Sequence, residues 1–324
     1  MVTTSSPASK KFLITGAEGF LGSYLTYYLA NIGYNLVVSV KEPVWRPLLR
    51  ETIKKKNIKI FYGSVLTKKG RKEIIPYFKD ADTVIHLERD WGGEDIQKGL
   101  VKEINNNLLG TIEFIKLAYQ YVNKVIFTST TDVYGEAPNI PLTEETLPNP
   151  RDFYSITKYS IEKYLRKIAE QLSKKLIILR ISTIYGPYDV YNKAIPNFIK
   201  AVLKNESLVI RSSKDTYRDF IFIEDVCSAI NLSVKYDPEN FVMLNIASGK
   251  AISLEHLINV IYKLAGKKED LTESKAVKKK SEKYLIGTDK AQQLLGFSPK
   301  FDIWQGLKIE IEWLKEYLRH VEKL

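Results

Sequence analysis

Three glycines spaced three apart, set directly after a short apolar run, limit this chain more than any other feature. The stretch reads Lys11-Phe-Leu-Ile-Thr-Gly16-Ala-Glu-Gly19-Phe-Leu-Gly22, and a helical pattern, Leu21–Asn31, begins inside it. A strand that turns through glycines into a helix lets the backbone come close to a ligand. It also aims the open N–H groups and the dipole of the helix N-terminus at that ligand. A pyrophosphate fits such a turn, and a turn this near the start of a strand–helix series points to a dinucleotide. Gly16, Gly19, Phe20, Leu21 and Gly22 are the expected contacts. The spacing is G-x-x-G-x-x-G rather than G-x-G-x-x-G.

The rest of the first half agrees. Phe12–Thr15, Leu36–Val40, Ile58–Tyr62, Thr83–Leu87, Val125–Thr128 and Leu176–Arg180 are short, apolar and rich in β-branched residues, as buried strands are. Amphipathic stretches lie between them: Leu21–Asn31, Lys69–Phe78, Gly99–Tyr121 and Tyr154–Ser173. Such alternation predicts an α/β fold with a doubly wound parallel sheet.

The last third has a different rhythm. Ile195–Lys204 reads as a helix and Ser207–Ile210 as a short strand. Ile221–Tyr236 starts extended and becomes helical, and Met243–Ile246, Leu254–Gly266 and Ile303–Leu324 follow. The expected organisation is a dinucleotide-binding domain over 10–187 and a smaller substrate domain over 188–324, with 218–247 in part returning to the first. Lys267–Lys283 is charged and aperiodic and reads as a loop.

An acid at the end of the second strand usually holds the ribose of NAD. Here that stretch is Val38-Ser-Val40-Lys41-Glu42. Lys41 could pair with the 2′-phosphate of NADP, or Glu42 could reach the ribose from a shifted loop. Between NAD and NADP the reading leans slightly to NADP.

Two segments carry candidate chemistry: Val125-Ile-Phe-Thr-Ser-Thr130-Thr-Asp132-Val-Tyr134-Gly135, and Tyr154-Ser-Ile-Thr-Lys158. Tyr154 and Lys158 are four apart and share a helix face. An ammonium there would favour the phenolate and lower the tyrosine pKa, making it a general base near neutral pH. Thr130, at a strand end, could hydrogen-bond the same reacting oxygen. Asp132 could be a further acid or simply a turn residue.

Taken in order, these marks resemble the extended short-chain dehydrogenase/reductases, and among them the NAD-dependent epimerase/dehydratase family of nucleotide-sugar enzymes. Gly16-x-x-Gly19-Phe-Leu-Gly22 is similar to its cofactor loop and Asn107-Leu-Leu-Gly-Thr111 to its N-x-x-G-T helix. Ser129-Thr-Thr-Asp-Val-Tyr-Gly135 resembles its strand end, and Tyr154-x-x-x-Lys158 its catalytic pair. Leu179-Arg-Ile-Ser-Thr-Ile-Tyr-Gly-Pro187, Arg218-Asp-Phe-Ile-Phe-Ile-Glu-Asp-Val226, Asn245-Ile-Ala-Ser-Gly249 and Leu295-Gly-Phe-Ser-Pro299 resemble its later motifs.

The resemblance implies a Rossmann-type fold and a catalytic triad of Thr130, Tyr154 and Lys158. Leu87 and Asn107 would lie at the cofactor, where Lys158 would also hold the nicotinamide ribose. Thr183 and Arg218 would lie at a nucleotide-diphosphate sugar, whose phosphates suit a guanidinium fork. It implies a homodimer formed through Gly99–Tyr121 and Tyr154–Ser173.

Several positions depart from the family pattern. Val40 replaces the acid and Ser64 an aspartate. Glu88-Arg89 replaces Ala-Ala after His86-Leu87, and Thr183 replaces an asparagine. Dehydratases of the family carry an Asp-Glu pair beside the threonine, whereas Thr131-Asp132 offers one carboxylate. Epimerisation through a transient 4-keto sugar is therefore the favoured reaction, ahead of decarboxylation and dehydration. The alternatives are an NADPH-dependent reductase, which Lys41 would suit, and a non-catalytic nucleotide- or RNA-binding protein on the same fold.

Composition bears on partners and compartment. Forty-nine Lys and Arg against 38 Asp and Glu give +11, which suits an anionic small substrate, nucleic acid or a solvated surface. The intact triad residues disfavour the nucleic-acid reading. One cysteine, Cys227, allows no internal disulfide and fits a reducing compartment. The three histidines, His86, His256 and His320, show no metal-ligand spacing, so no metal is expected. The polar start, Met1–Ser9, lacks a signal-peptide pattern, and no apolar run reaches membrane-spanning length. A cytoplasmic enzyme is expected.

Overall fold

The computed structural model describes residues 10–321 apart from 42, 91–95, 137–139, 190–192, 209, 211–215 and 269–282. Glu42, the Met1–Ser9 tail and most of the lysine-rich 267–283 stretch lie outside the described residues.

β1 (Lys11–Thr15) runs through the glycine turn into α1 (Phe20–Ile32), which Gly33 ends in the left-handed conformation. β2 (Asn35–Val40), α2 (Pro47–Thr52), β3 (Ile58–Tyr62), α3 (Lys68–Glu73) and β4 (Thr83–His86) follow. α4 (Ile96–Lys102) continues into a π-helical stretch, Glu103–Gly110, and then α5 (Thr111–Ala118). β5 (Lys124–Thr130), α6 (Phe153–Gln171) and β6 (Lys175–Ile181) come next. The remaining elements are β7 (Thr183–Tyr185), α7 (Ala194–Lys204), β8 (Tyr217–Phe222), α8 (Ile223–Lys235) and β9 (Phe241–Ile246). They end with β10 (Ala251–Ser253), α9 (Leu254–Ala265), α10 (Asp289–Leu295) and α11 (Ile303–Val321).

Seven strands form one sheet in the order β3-β2-β1-β4-β5-β6-β9, and every pairing in it is parallel. Because successive side chains of a strand point to opposite faces, strands buried on both sides read as unbroken apolar runs. Phe12 and Ile14 thus join the core beneath α1 and α8, while Leu13 joins the one beneath α5 and α6. The strand order reverses at β1, between β2 and β4. A crevice opens there above the carboxyl ends of the strands, the place where such sheets bind ligands. A second sheet, β10-β8-β7, pairs β8 antiparallel with β10 and parallel with β7.

Several details differ from the sequence expectation, which placed no helix over α2 or α10. The helix expected over Lys69–Phe78 ends at Glu73 and gives way to a 3₁₀ stretch, Ile75–Asp80. Pro76 has no N–H to continue the α-helical ladder. The helix expected over Gly99–Tyr121 contains the π-helical stretch, within which Glu103 and Asn107 are both buried. Of the expected strand Ser207–Ile210, residues 207, 208 and 210 pair with no sheet. Leu208 and Ile210 are buried in the α1-side core instead, so their apolar spacing reflects side-chain packing. The three-residue strands β7 and β10 are too short to show a period.

Candidate active site

The glycine turn has the shape its spacing requires. Gly16 adopts φ +73°, and a Cβ there would lie 2.6 Å from Glu88 Cα. At Gly22 a Cβ would lie 2.1 Å from the Gly16 carbonyl oxygen. Gly19 caps α1 without a side chain, so the first-turn N–H groups face the crevice open to an anion. Phe20 is buried and Leu21 half-buried against the same core. Leu87 donates its N–H to the Thr15 carbonyl at 3.2 Å, which extends the β1–β4 ladder to the crevice edge.

The β2 end carries no acid, since Val40 is buried and apolar. Lys41, expected near a 2′-phosphate, places Nζ 3.9 Å from Glu88 Oε1. Glu88 accepts from Ser39 Oγ at 3.4 Å and Val65 N at 3.3 Å, and also from Ser64 Oγ. Burial pushes its carboxyl up to about 7. His86 is fully buried, with Nδ1 2.7 Å from Thr15 Oγ1 and Nε2 3.1 Å from Thr111 Oγ1. Burial lowers it to about 3, so it is a neutral structural residue.

The candidate catalytic residues meet at the carboxyl end of β5. An Asp152–Ser155 capping box starts α6, with Ser155 N donating to Asp152 Oδ1 at 2.7 Å, and this puts Tyr154 in the first turn. Thr130, the last residue of β5, and Asp132 lie close enough to the Tyr154 hydroxyl to bear on its proton. Thr130 Oγ1 also donates to Asp132 Oδ2 at 3.0 Å and accepts from Asp132 N at 3.1 Å. Burial raises the Asp132 carboxyl, and the Arg218 charge opposes that rise.

The expected Lys158 effect on Tyr154 is not what the structure shows. Burial and then the Asp132 carboxylate push the Tyr154 hydroxyl up to about 12. The cation against its ring is Arg89, 4.6 Å above it. Lys158 is buried, donates to the Thr128 carbonyl at 2.8 Å and lies 4.6 Å over the Phe127 ring. Burial, then Arg89, brings its ammonium down to about 7. Desolvation dominates at each group, so Tyr154 holds its proton.

Supporting contacts fix this arrangement. Arg89 pairs with Glu103 at 3.0 Å. Asn107, expected at the cofactor, holds the loop after β4. It accepts from Asp90 N at 2.7 Å and donates to the Asp90 carbonyl at 2.9 Å. Behind Thr130, Arg180 and Glu162 form a buried pair at 2.6 Å, to which Ser129 Oγ adds a hydrogen bond at 2.5 Å. Glu88, Arg89, Glu103 and Glu162 were not identified in the sequence as site-forming contacts. Only Glu88-Arg89 gave a signal, as charges where small residues are usual.

A cavity of about 710 Å³ opens between α7 and the small sheet, lined by Thr183 and Arg218 together with Lys193, Asn197, Lys200 and Lys204. The last four recur along one face of α7 at roughly helical spacing. Arg218 stacks 4.7 Å over the Tyr284 ring. Asp219, its sequence neighbour, accepts instead from Ser248 N, Ser248 Oγ and Gly249 N at 2.8–3.0 Å.

A glycine turn at a sheet's switch point, with a Thr–Tyr–Lys cluster two strands away, defines a dinucleotide-dependent enzyme of the short-chain dehydrogenase type. Comparison with known proteins sharpens this: residues 12–247 match the model of the NAD dependent epimerase/dehydratase family, and the chain belongs to that family. A candidate UDP-glucose 4-epimerase of Methanocaldococcus jannaschii is 29% identical over 312 residues, 94% of this chain and 98% of its own. The Thermotoga maritima UDP-glucose 4-epimerase, solved with UDP-glucose, is 25% identical and superposes with a TM-score of 0.83. The match covers 95% of this chain and 99% of that one. The Bacillus cereus UDP-glucuronic acid 4-epimerase, solved with UDP-glucuronic acid and NAD, is also 25% identical, with a TM-score of 0.80 and the same coverage of both chains, 95% and 99%.

Proposed function

We propose that this protein is an NAD-dependent nucleotide-sugar 4-epimerase. The observation that carries the reading is the gathering of Thr130, Tyr154 and Lys158 at the carboxyl end of β5, with Asp132 as the single carboxylate beside Thr130 and Arg218, from the cation-lined cavity, acting on that carboxylate. Dehydration in this family draws on a second acid beside that carboxylate, and Thr131 stands there instead. The relatives with UDP-sugar substrates and NAD support the same reading.

The bound dinucleotide supplies a reversible oxidation of the sugar carbinol. The glycine turn and the N-terminus of α1 hold its pyrophosphate. Tyr154 takes the proton of the sugar hydroxyl and returns it, and Thr130 orients that oxygen. Lys158 stands near its midpoint at neutral pH, so an anionic ligand entering the crevice favours its charged form. A charged Lys158 in turn favours the Tyr154 phenolate. Ligand entry thus arms a base that is otherwise protonated. Arg218 and the α7 lysines receive the diphosphate, which leaves residues 10–187 to the dinucleotide and 188–324 mainly to the sugar nucleotide. Lys41, which would suit an NADPH reductase, lies 3.9 Å from the Glu88 carboxylate, and the relative solved with NAD favours NAD.

Val101, Ile104, Leu109, Phe153, Ile156 and Tyr164 stand exposed on the π-helical region and α6. They fit a two-fold pairing of these helices in a homodimer, which a monomer by light scattering would rule out.

The test is proton NMR of UDP-glucose and UDP-glucuronate incubated with the protein. Conversion to the C4 epimer, lost on the order of 100- to 10,000-fold in Tyr154→Phe, supports the reading. Release of carbon dioxide, or accumulation of a 4-keto-6-deoxy sugar, replaces it with decarboxylation or dehydration.

A further inference from the structure

The end of β2 is where an acid ordinarily grips the adenosine ribose of a dinucleotide. Val40 leaves that end apolar, but the crevice has a carboxylate from elsewhere. Glu88, two residues past β4 and 4% exposed, turns its side chain over β1 toward the ends of β2 and β3. Its backbone crosses Gly16 so closely that only a glycine fits beneath it. Oε2 accepts from Ser39 Oγ and Val65 N, and Oε1 accepts from Ser64 Oγ and faces Lys41. A carboxylate has about four acceptor positions. Ser64 Oγ and Val65 N fill one on each oxygen, the Ser39 hydroxyl is shared between Oε2 at 3.4 Å and the Gly63 carbonyl at 3.1 Å, and Oε1 has Lys41 Nζ 3.9 Å away as its neighbour.

We propose that Glu88 is the acid that reads the adenosine ribose, delivered from β4 in place of the β2 end, and that it makes this crevice select NAD over NADP. The inference rests on the dinucleotide-dependent reading above. A ribose hydroxyl donates to the remaining acceptor of Oε1. A 2′-phosphate at the same point would set a dianion against a buried carboxylate, in surroundings where like charges repel far more than in water. Glu18 adds a second carboxylate coupled to Glu88. Lys41, the cation within reach of a 2′-phosphate, is already opposed by Glu88. Ser39 and Ser64 hold the carboxylate in one position, as a discriminating group requires.

Calorimetric titration of the full chain with NAD and with NADP at pH 8, where Glu88 is ionised, tests this. Wild type is expected to bind NAD at least about tenfold more tightly than NADP, a ratio that one well-placed charge readily supplies. Glu88→Gln keeps the shape but loses the charge, and is expected to bring the two affinities within about threefold. Glu88→Asp keeps the charge and is expected to keep the preference while weakening NAD. Lys41→Ala is expected to leave the preference intact. Equal binding of both dinucleotides by wild type, or an unchanged ratio in Glu88→Gln, overturns the proposal and leaves the epimerase reading standing. Should Glu88→Gln fail to fold, the wild-type ratio and Glu88→Asp decide. Folded wild type that binds neither dinucleotide overturns both readings.

Discussion

Arg89 lays its guanidinium 4.6 Å above the ring of Tyr154 while pairing at 3.0 Å with the buried Glu103. The residue holds together two helices and the loop after β4, and in the ligand-free protein its charge bears on the candidate base. Its charge lowers the pKa of both Tyr154 and Lys158. Arg89→Gln should therefore move the rising limb of the pH–kcat/KM profile to higher pH. One pKa unit corresponds to about tenfold at a fixed pH below the limb. An unmoved limb would show that Arg89 acts only on structure.

Arg218 lines the cavity and stacks on Tyr284. Arg218→Ala should raise KM for the sugar nucleotide by about 10- to 100-fold, the worth of one hydrogen bond to a charged group. Its kcat should change little, because diphosphate contacts are shared by ground and transition states. Steady-state kinetics separates the two. A drop in kcat at constant KM would place the arginine at the reacting carbon instead.

The Glu162–Arg180 pair is almost completely buried, and Ser129 completes it. Glu162→Gln leaves the guanidinium charge uncompensated in the core and should cost about 3–5 kcal/mol of stability. Urea denaturation followed by circular dichroism measures the loss. A change under about 1 kcal/mol would mean that water reaches Arg180.

Stability should also depend on pH in a stated direction. Burial brings Lys158 to about 7 and Lys124 to about 8, from 10.5. In both cases the folded state disfavours the proton, so the penalty is complete below the folded pKa. It is relieved as pH rises toward the unfolded value. The ligand-free protein should gain stability from pH 7 to about 9, with each lysine contributing a slope of up to about 1.4 kcal/mol per pH unit. Lys158→Met should remove its share of that slope. A flat stability curve in wild type would contradict the burial of both groups.

Much of the fold was legible in the chain. β1 to β6 lie within two residues of the runs that announced them, because all but the edge strand β3 are buried on both faces and need little but apolar residues. Gly33, Gly266 and Gly296 each close a helix in the left-handed conformation, though only Gly266 was read as a helix end. The Pro76 break, the π-helical stretch and the unpaired Leu208 and Ile210 were not legible. In each case packing or a missing N–H overrode a good helical or strand pattern.

For the site the division is the same. The glycine spacing, the Tyr154–Lys158 step and the strand-end Thr130 were set by the sequence, because each depends on residues a few positions apart along one turn or helix. The contacts of Glu88 with Ser39 and Ser64, of Arg89 with Tyr154, and of Lys158 with Thr128 were decided by tertiary structure. They join residues far apart in the chain, on different strands, loops and helices, and no local period encodes them. They arise because the parallel register brings the carboxyl ends of β1 to β5 to one edge. There burial sets which charges face one another and which groups keep their protons.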